Sequence, residues 1–538
     1  MAQLGAFEYT IMAVYLVGVV ALGLCFSGKQ KSLSEYFLAS GTMPWWAVSI
    51  SLYATALSPL SFLGASGWMI AKDPRWPLGT AVIGIATTVL AALIWVPIWG
   101  RLRLLTIFEY LERRYHPAIR SFGAAMFPIE MMFWIGTALV TAAMAFNQVT
   151  GVPTHWCIVG IVLLGTLYTV LGGARAVVWT DVAQFGVFCF AYAAIGFMIL
   201  QYFNWDASHI YHVVSQMTSP VTGQRQTTLV STEFSLAIEA TIWCILFVMI
   251  TEAVKFGGSQ VYIQRLLATN TRGKMFKALI GQSVVGLIWV LMTIGIAWGL
   301  LAFYTDHPQA VRPEHADKVM AGFVVEFLPA IVRGIVMTGL LAAMMSTFDS
   351  ALNSISSVAI NDFYKRYVKH DADQHHYVIV SRVITLVAGL FLLAFALWQL
   401  KNADATGLER VGRLNVLIAP AIIPFFVLGI FSKRANTFGV LIGSLSGIAV
   451  AVLFNGFPGL FRAVIFGDDA LYFHGSVNWL WLGGFGMVTG FVVGYFASFL
   501  FPPPSQHALR GLTIAEPLPE AEVAAQIEKI QTDANTNA

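Results

Sequence analysis

The sequence predicts an all-α integral membrane protein with about thirteen transmembrane helices. Two observations carry that expectation. Only 11% of the 538 residues are charged and 57% are hydrophobic, whereas soluble domains carry about 25% charged residues. The apolar residues also fall in blocks of about 20, the length at which a helix crosses the hydrocarbon of a bilayer. Thirteen such blocks run along the chain: 8–27, 45–70, 77–99, 119–147, 156–172, 180–202, 235–262, 275–303, 320–360, 378–400, 409–431, 437–456 and 478–501.

The first block is followed by charge and not by a small-residue cleavage site, so it is expected to be a retained helix. The ninth is long for one crossing and is expected to continue as helix beyond the membrane. Lysine and arginine placement orients the whole set. With the N-terminus outside, eighteen basic residues fall in inside loops and eight in outside loops, which leaves the C-terminus inside. Residues 1–502 thus form one transmembrane domain. The polar, acidic tail at 503–538 is expected to be cytoplasmic, disordered or loosely helical, and too short to be a catalytic domain.

Other compositional signals are bland. Cys25, Cys157, Cys189 and Cys244 all lie in apolar blocks and are expected to pack as small hydrophobes. A net charge of +3 gives no reason to expect a nucleic-acid partner. The partners expected are the lipid bilayer and a small-molecule solute, with the protein monomeric or weakly oligomeric. "HDADQHHY" (370–377) has metal-like residues but falls in a predicted loop and reads as a solvated turn. No P-loop or zinc-protease motif supports ATP-driven transport or hydrolysis, and no enzymatic activity is expected.

Two blocks carry helix breakers at mid-membrane depth. The second, "WAVSISLYATALSPLSFLGASGW", is interrupted by Pro59, and the seventh, "IWCILFVMITEAVKFGGSQVYIQR", by Gly257-Gly258. Proline removes a backbone donor and a glycine pair weakens a helix. Carbonyls freed in this way must be satisfied by protein, water or a bound ion. The broken blocks lie five apart in the order of spans. This is the spacing of two inverted five-helix repeats, placed at about 45–202 and 235–431, with a transport site near the midplane.

The ninth block holds "MMSTFDSALNS" in otherwise apolar surroundings. At 100° per residue, Ser346, Thr347, Asp349, Ser350, Asn353, Ser354 and Ser357 fall within an arc of roughly 160°. Small polar residues that glue helices together account for the serines. They do not account for Asp349, because a mid-membrane aspartate costs about 2.5–3.5 kcal/mol on insertion scales. A monovalent cation held by oxygens would offset that cost.

These residues resemble the sodium/solute symporter family, which includes bacterial sugar, sialic-acid, proline and monocarboxylate symporters. The segment "PWWAVSISLYATALSPLSFLGASG" looks like the family's first core helix, and "LGGARAVVWTDVAQ" (171–184) is similar to its tryptophan–threonine–aspartate signature. "GGSQVYIQRLLAT" is similar to its glutamine–arginine segment, and "STFDSALNSISSVAINDFYKR" to its sodium-site helix. The resemblance implies a leucine-transporter-type fold and Na+ as coupling ion.

By position, the resemblance assigns the principal sodium site to the carbonyls of Ala54, Leu57 and Ala343 and the hydroxyls of Ser346 and Thr347. It places Asp181, with Ser346, Asp349 and Ser350 opposite, at a second sodium site on the cytoplasmic side. Asp349 stands where sialic-acid members have a hydroxyl, which leaves the stoichiometry open. Ser58 and Ser61 match solute-contacting hydroxyls. Glu252 stands in place of an asparagine and Lys255 in place of an aromatic inner gate, a role that passes to Phe256. Glu252 and Lys255 are equally consistent with a mutual i,i+3 ion pair. Glu130 is the acid of the third core helix, which has no arginine for a sialic-acid carboxylate, and Arg413 and Asn415 are polar candidates entering the eleventh block.

The function expected is sodium-driven import of a small polar organic solute, of the sugar, sialic-acid or carboxylate class, across the cell membrane. Proton coupling at Asp349 and a solute sensor without net transport are the alternatives.

Overall fold

The computed structural model describes residues 4–28, 30–57, 59–71, 73–219, 222–228, 231–236, 238, 241–309, 319–401, 419–455 and 479–517. The helices run α1 (Ala6–Leu24), α2 (Leu33–Leu38), α3 (Trp45–Ala56), α4 (Pro59–Ala71), α5 (Arg75–Leu102), α6 (Phe108–Arg114), α7 (Pro117–Thr150), α8 (Thr154–Tyr202) and α9 (Ala207–Ser215). They continue with α10 (Ile242–Phe256), α11 (Gln260–Leu267), α12 (Arg272–Asp306), α13 (Val319–Phe327), α14 (Ala330–Val358) and α15 (Gln374–Lys401). Three more close the described chain: α16 (Ala419–Phe431), α17 (Thr437–Asn455) and α18 (Trp479–Ala497).

Every predicted span has a helical counterpart, with three local differences. The fifth and sixth spans are one element, α8, bent at Gly173 (φ 61°, ψ −160°). A Cβ there would lie 2.6 Å from the Tyr36 carbonyl oxygen, so the bend requires glycine. The ninth span divides at Pro329, which cannot donate to the preceding turn, into α13 and α14. Beyond α14 the chain winds on as a π-helix from Ala359 to Val368.

Both predicted breaks are present. α3 ends at Leu57, whose backbone is extended (φ −80°, ψ 95°), and α4 leaves at 64° to it. α10 and α11 are inclined by 59°. At the second break a Cβ on Gly257 would sit 2.0 Å from the Trp95 ring, so glycine admits the indole to the kink. Trp95 Nε1 uses that access to donate to the Ala253 carbonyl at 2.9 Å, satisfying an acceptor near the break.

α14 is the hub, packed most extensively against α8 and also touching α1, α3, α4, α7 and α15. Every residue from Val336 to Val358 is buried. The apolar side of its stripe, including Met344, Phe348 and Leu352, therefore faces protein and not lipid.

Charges buried around the bundle are paired or hydrogen-bonded, as a low-dielectric interior demands. Glu8 meets Arg333 at 2.9 Å, and Asp73 meets Arg75 at 2.5 Å. Arg114 donates to the carbonyls of Gly429, Ser432 and Ala435. Outside the spans, Glu112 on α6 takes Arg120 at 2.8 Å and Arg366 at 2.5 Å. Burial opposes the Glu112 carboxylate, but the two guanidinium hydrogen bonds outweigh it and hold its pKa below the ordinary value. The network thus stabilises the fold at neutral pH and loses that contribution as pH falls through the depressed value.

The tail departs from expectation up to residue 517, because it docks instead of hanging free. Leu512 is buried in the core, and its carbonyl accepts from the Tyr110 hydroxyl at 3.1 Å. Ile514 N–H donates to the Ile430 carbonyl at 3.0 Å, Arg101 donates to the Gly511 carbonyl, and Lys433 pairs with Glu516 at 3.1 Å. These contacts join α5, α6 and α16. Leu512→Ala is expected to cost about 2 kcal/mol, read as a lower thermal unfolding midpoint of the detergent-solubilised protein. An unchanged midpoint would mean that the docked segment bears no load.

Candidate ion sites and solute cavity

The oxygens assigned to the principal site meet where α14 crosses the end of α3. Ser346 Oγ lies 3.2 Å from the carbonyl oxygens of both Ala54 and Ala343. Thr347 Oγ1 lies 3.4 Å from the Leu57 carbonyl and 3.2 Å from that of Ala343. All five oxygens assigned from the sequence thus converge between buried elements. Ca2+, a hard cation, keeps its oxygen ligands at about 2.3–2.6 Å. Neighbouring ligands at right angles on a cation with such bonds lie roughly 3.3–3.7 Å apart. The observed spacing of 3.2–3.4 Å is close to that cage. It is also an ordinary local arrangement, since both hydroxyls bond back to the preceding turn of their own helix.

One turn further along α14 lies a second cluster, more crowded than expected. Asp181 Oδ2 accepts from Ser51 Oγ at 2.5 Å, and Asp349 Oδ2 accepts from the Tyr168 hydroxyl at 2.5 Å. Ser350 Oγ touches Thr55 Oγ1 at 2.9 Å and Asp349 Oδ1 at 3.4 Å. Between them reaches Arg265 from α11, which donates to Ser51 at 3.0 Å and to Ser350, and stands 3.7 Å from Asp181.

Two carboxylates and one guanidinium leave a single formal negative charge, so the cluster has charge for one monovalent cation and not two. Asp181 Oδ1, Asn353 Oδ1 and Gln184 Oε1 are buried without a hydrogen-bond partner. Such acceptors fit a bound ion or water. Ser346, expected to contribute here too, makes its hydrogen bonds to Ala54 and Ala343 of the principal site.

Arg265, Ser51, Thr55, Tyr168 and Gln184 were not singled out from the sequence. The i,i+4 spacing of Ser51 and Thr55 on one helix face was a usable signal, and Arg265 stood within a recognised motif. Tyr168, in "LLGTLYTV", carried none.

A separate cavity of about 590 Å³ opens beside the α10–α11 break. It brings together Glu252, Lys255 and Phe256, with Glu130 from α7 facing them. Lys255 Nζ lies 3.3 Å from Glu252 Oε1, so the i,i+3 pair is formed. Phe256 stacks on Tyr262 with ring centroids 5.1 Å apart. Ser61 lies on α4 outside this lining. Ser58, Arg413 and Asn415 lie outside the described residues. The "HDADQHHY" stretch is a bend leading into α15, in which Asp373 Oδ1 accepts from His376 N–H at 2.6 Å.

An all-helical, multi-pass membrane protein with two broken crossings and a converging set of hydroxyl and carbonyl oxygens has the architecture of a secondary transporter. The chain belongs to the sodium:solute symporter family, whose model matches residues 36–447. It is 28% identical to the sodium/sialic acid symporter SiaT of Proteus mirabilis, over 94% of this chain and 97% of that protein. It is 29% identical to the sodium/sialic acid symporter NanT of Aliivibrio fischeri, over 83% and 87% of the two chains. The sodium/glucose cotransporter of Vibrio parahaemolyticus is 27% identical over 86% and 87%. Among solved structures, the substrate-bound, outward-open state of a Na+-coupled sialic acid symporter superposes with a TM-score of 0.80 and 25% identity. The match covers 93% of this chain and 99% of that one, and its description reports a novel Na+ site. The protein is therefore a sodium-coupled symporter of leucine-transporter-type fold, not an enzyme.

Removing one hydroxyl from the principal site, in Ser346→Ala or Thr347→Ala, is expected to raise the sodium concentration for half-maximal transport at least tenfold. The lost ligand is worth roughly 1–3 kcal/mol. Unchanged half-saturation in both variants would remove these residues from the site. Asp349→Asn keeps the size and removes the charge. It is expected to lower the number of sodium ions coupled per solute by one, read as the reversal potential of solute flux in proteoliposomes at several sodium gradients. Identical reversal potentials and sodium half-saturation would make Asp349 structural.

Proposed function

We propose that inward sodium flux drives import of a small polar organic solute of the sugar, sialic-acid or carboxylate class by alternating access. The principal sodium ion is held by Ala54, Leu57, Ala343, Ser346 and Thr347, and a second by Asp181, Asp349 and Ser350. The solute occupies the cavity beside the α10–α11 break, with Glu252, Lys255 and Phe256 as its candidate contacts there; Ser61, outside that lining, and Ser58 and Asn415, outside the described residues, are candidate contacts by resemblance alone. The N-terminus faces outside and the C-terminus the cytoplasm, in accord with the distribution of basic loops. Residues 1–502 are the transport domain, with repeats at about 45–202 and 235–431, and the protein acts as a monomer or weak oligomer.

The observation that carries this reading is the convergence of the Ser346 and Thr347 hydroxyls on three main-chain carbonyls from two helices, at 3.2–3.4 Å. Those oxygens belong together only while α3 and α14 are packed. An ion bound there stabilises the packed arrangement, and a solute that favours the same arrangement binds more tightly when the ion is present. The coupling is reciprocal and typically worth about 1–3 kcal/mol.

Proteoliposomes provide the test. Uptake of a bound solute is expected to follow an imposed inward sodium gradient and to vanish with potassium in its place, and preloaded solute is expected to drive counterflow. Uptake that follows a proton gradient without sodium would instead establish proton coupling. Sodium-dependent binding without counterflow would make the protein a sensor.

A further inference from the structure

Among the described residues, three charged side chains line the cavity: Glu130, Glu252 and Lys255. Glu252 and Lys255 sit one turn apart on α10 and pair at 3.3 Å, so together they are neutral. Glu130 comes from α7 and makes no hydrogen bond or close ion pair among the described residues. The charged groups that act on it are Lys255 and Glu252, whose signs are opposed. The cavity thus carries one acid more than it has bases.

The wall around that acid suits a particular ligand. Trp134 follows Glu130 by four residues on α7, which places both on one face, and both line the cavity. Across from them stand the stacked rings of Phe256 and Tyr262. A carboxylate beside aromatic rings is a receptor for an organic cation, because the ring faces attract positive charge as the carboxylate does.

A neutral sugar would leave Glu130 without a counter-charge in a membrane interior. A simple carboxylate would add an anion to a cavity whose one base is already taken by Glu252.

We propose that the transported solute carries a cationic nitrogen, a protonated amine or a quaternary ammonium, received by Glu130 against the aromatic wall. The Glu252–Lys255 pair meets the solute's polar or anionic end, so amino-acid-like and betaine-like members of the carboxylate class, which bring a cation to Glu130 and add no net charge, fit, while simple carboxylates, which only add an anion, do not. This rests on the cavity being the solute site. Glu130 is a specificity-determining residue on this reading, and its charge, not its size, is what matters.

The test is a panel of probes against the full-length protein in nanodiscs, in sodium and in potassium. The probes are choline, glycine betaine, proline, lactate and glucose, with affinity read by calorimetry and thermal shift. Nitrogen cations are expected among the sodium-dependent ligands. Glu130→Gln is expected to weaken their binding at least tenfold, and Glu130→Asp to restore part of it. The sodium-only thermal shift of Glu130→Gln, which reports on the untouched principal site, is expected to match wild type and so exclude misfolding; if Glu130→Gln does not fold, Glu130→Asp against wild type carries the comparison. The proposal is overturned if only lactate or glucose binds, if none of the nitrogen cations binds, or if neither Glu130 variant changes their affinity. Sodium-dependent binding of lactate or glucose alone would leave the symport reading standing. Sodium-independent binding of every probe would overturn the symport reading instead.

Discussion

The structure depends on one constraint: a main-chain carbonyl inside a membrane must find a donor or a cation. Each of the two broken crossings meets it differently. At the α10–α11 break the Ala253 carbonyl takes the Trp95 indole N–H, a fixed donor that fills the acceptor permanently. At the α3 end, the Ala54 and Leu57 carbonyls are approached by hydroxyls of Ser346 and Thr347 at 3.2–3.4 Å. A hydroxyl can turn its hydrogen away and present a lone pair, so the same atoms serve as partners without an ion and as co-ligands with one. Both breaks therefore survive in an apolar medium, and only the α3 break is exchangeable. The burial of α14 from Val336 to Val358 follows from this, since its hydroxyl stripe has to be delivered to those carbonyls from within the protein.

Charge is handled with the same economy. Glu8 with Arg333, Asp73 with Arg75 and Arg120 with Asp362 are structural pairs that balance where they stand. Among the described residues, two acidic clusters do not balance, Asp181–Arg265–Asp349 and Glu130–Glu252–Lys255, and each holds one negative charge in excess. Intramembrane ionisable groups are expensive, so an unbalanced cluster marks a place where a mobile ligand supplies the missing charge. The first is enclosed among small hydroxyls and fits a bare cation. The second faces a cavity walled by rings and fits a larger one.

Legibility in the sequence followed the range of the interactions. Pro59 and Gly257-Gly258 act on their own helices, so the breaks could be read locally. The polar stripe of α14 is a property of helical period, so Ser346, Thr347, Asp349 and Ser350 could be placed on one face. The docking of residues up to 517 could not be read, because it depends on Tyr110 and Arg101, about four hundred residues away in sequence. Arg265 escaped for the same reason, since its partners Ser51 and Ser350 lie 214 and 85 residues away along the chain. The single bent α8 in place of two spans turned on Gly173 meeting the Tyr36 carbonyl, again a contact between distant segments.

The two candidate ion sites sit on successive turns of α14 and draw their other groups from the same side of it. Ser346 reaches Ala54, Thr347 reaches Leu57, and Ser350 reaches Thr55, all from the last turn of α3 and the residue after it. Ser51, one turn earlier on α3, holds Asp181 and Arg265. A rigid displacement of α14 from α3 therefore parts Ser346 and Thr347 from Ala54 and Leu57, and Ser350 from Thr55, in one movement. Occupancy of either site then favours the packed interface, and the sites need no direct contact to act together. A ligand shifts such an equilibrium only by its difference in affinity between the two arrangements. The shared interface would supply that difference for an ion at either candidate site, and a solute in the cavity beside α10 and α7 would share it if that cavity changes shape with the same movement.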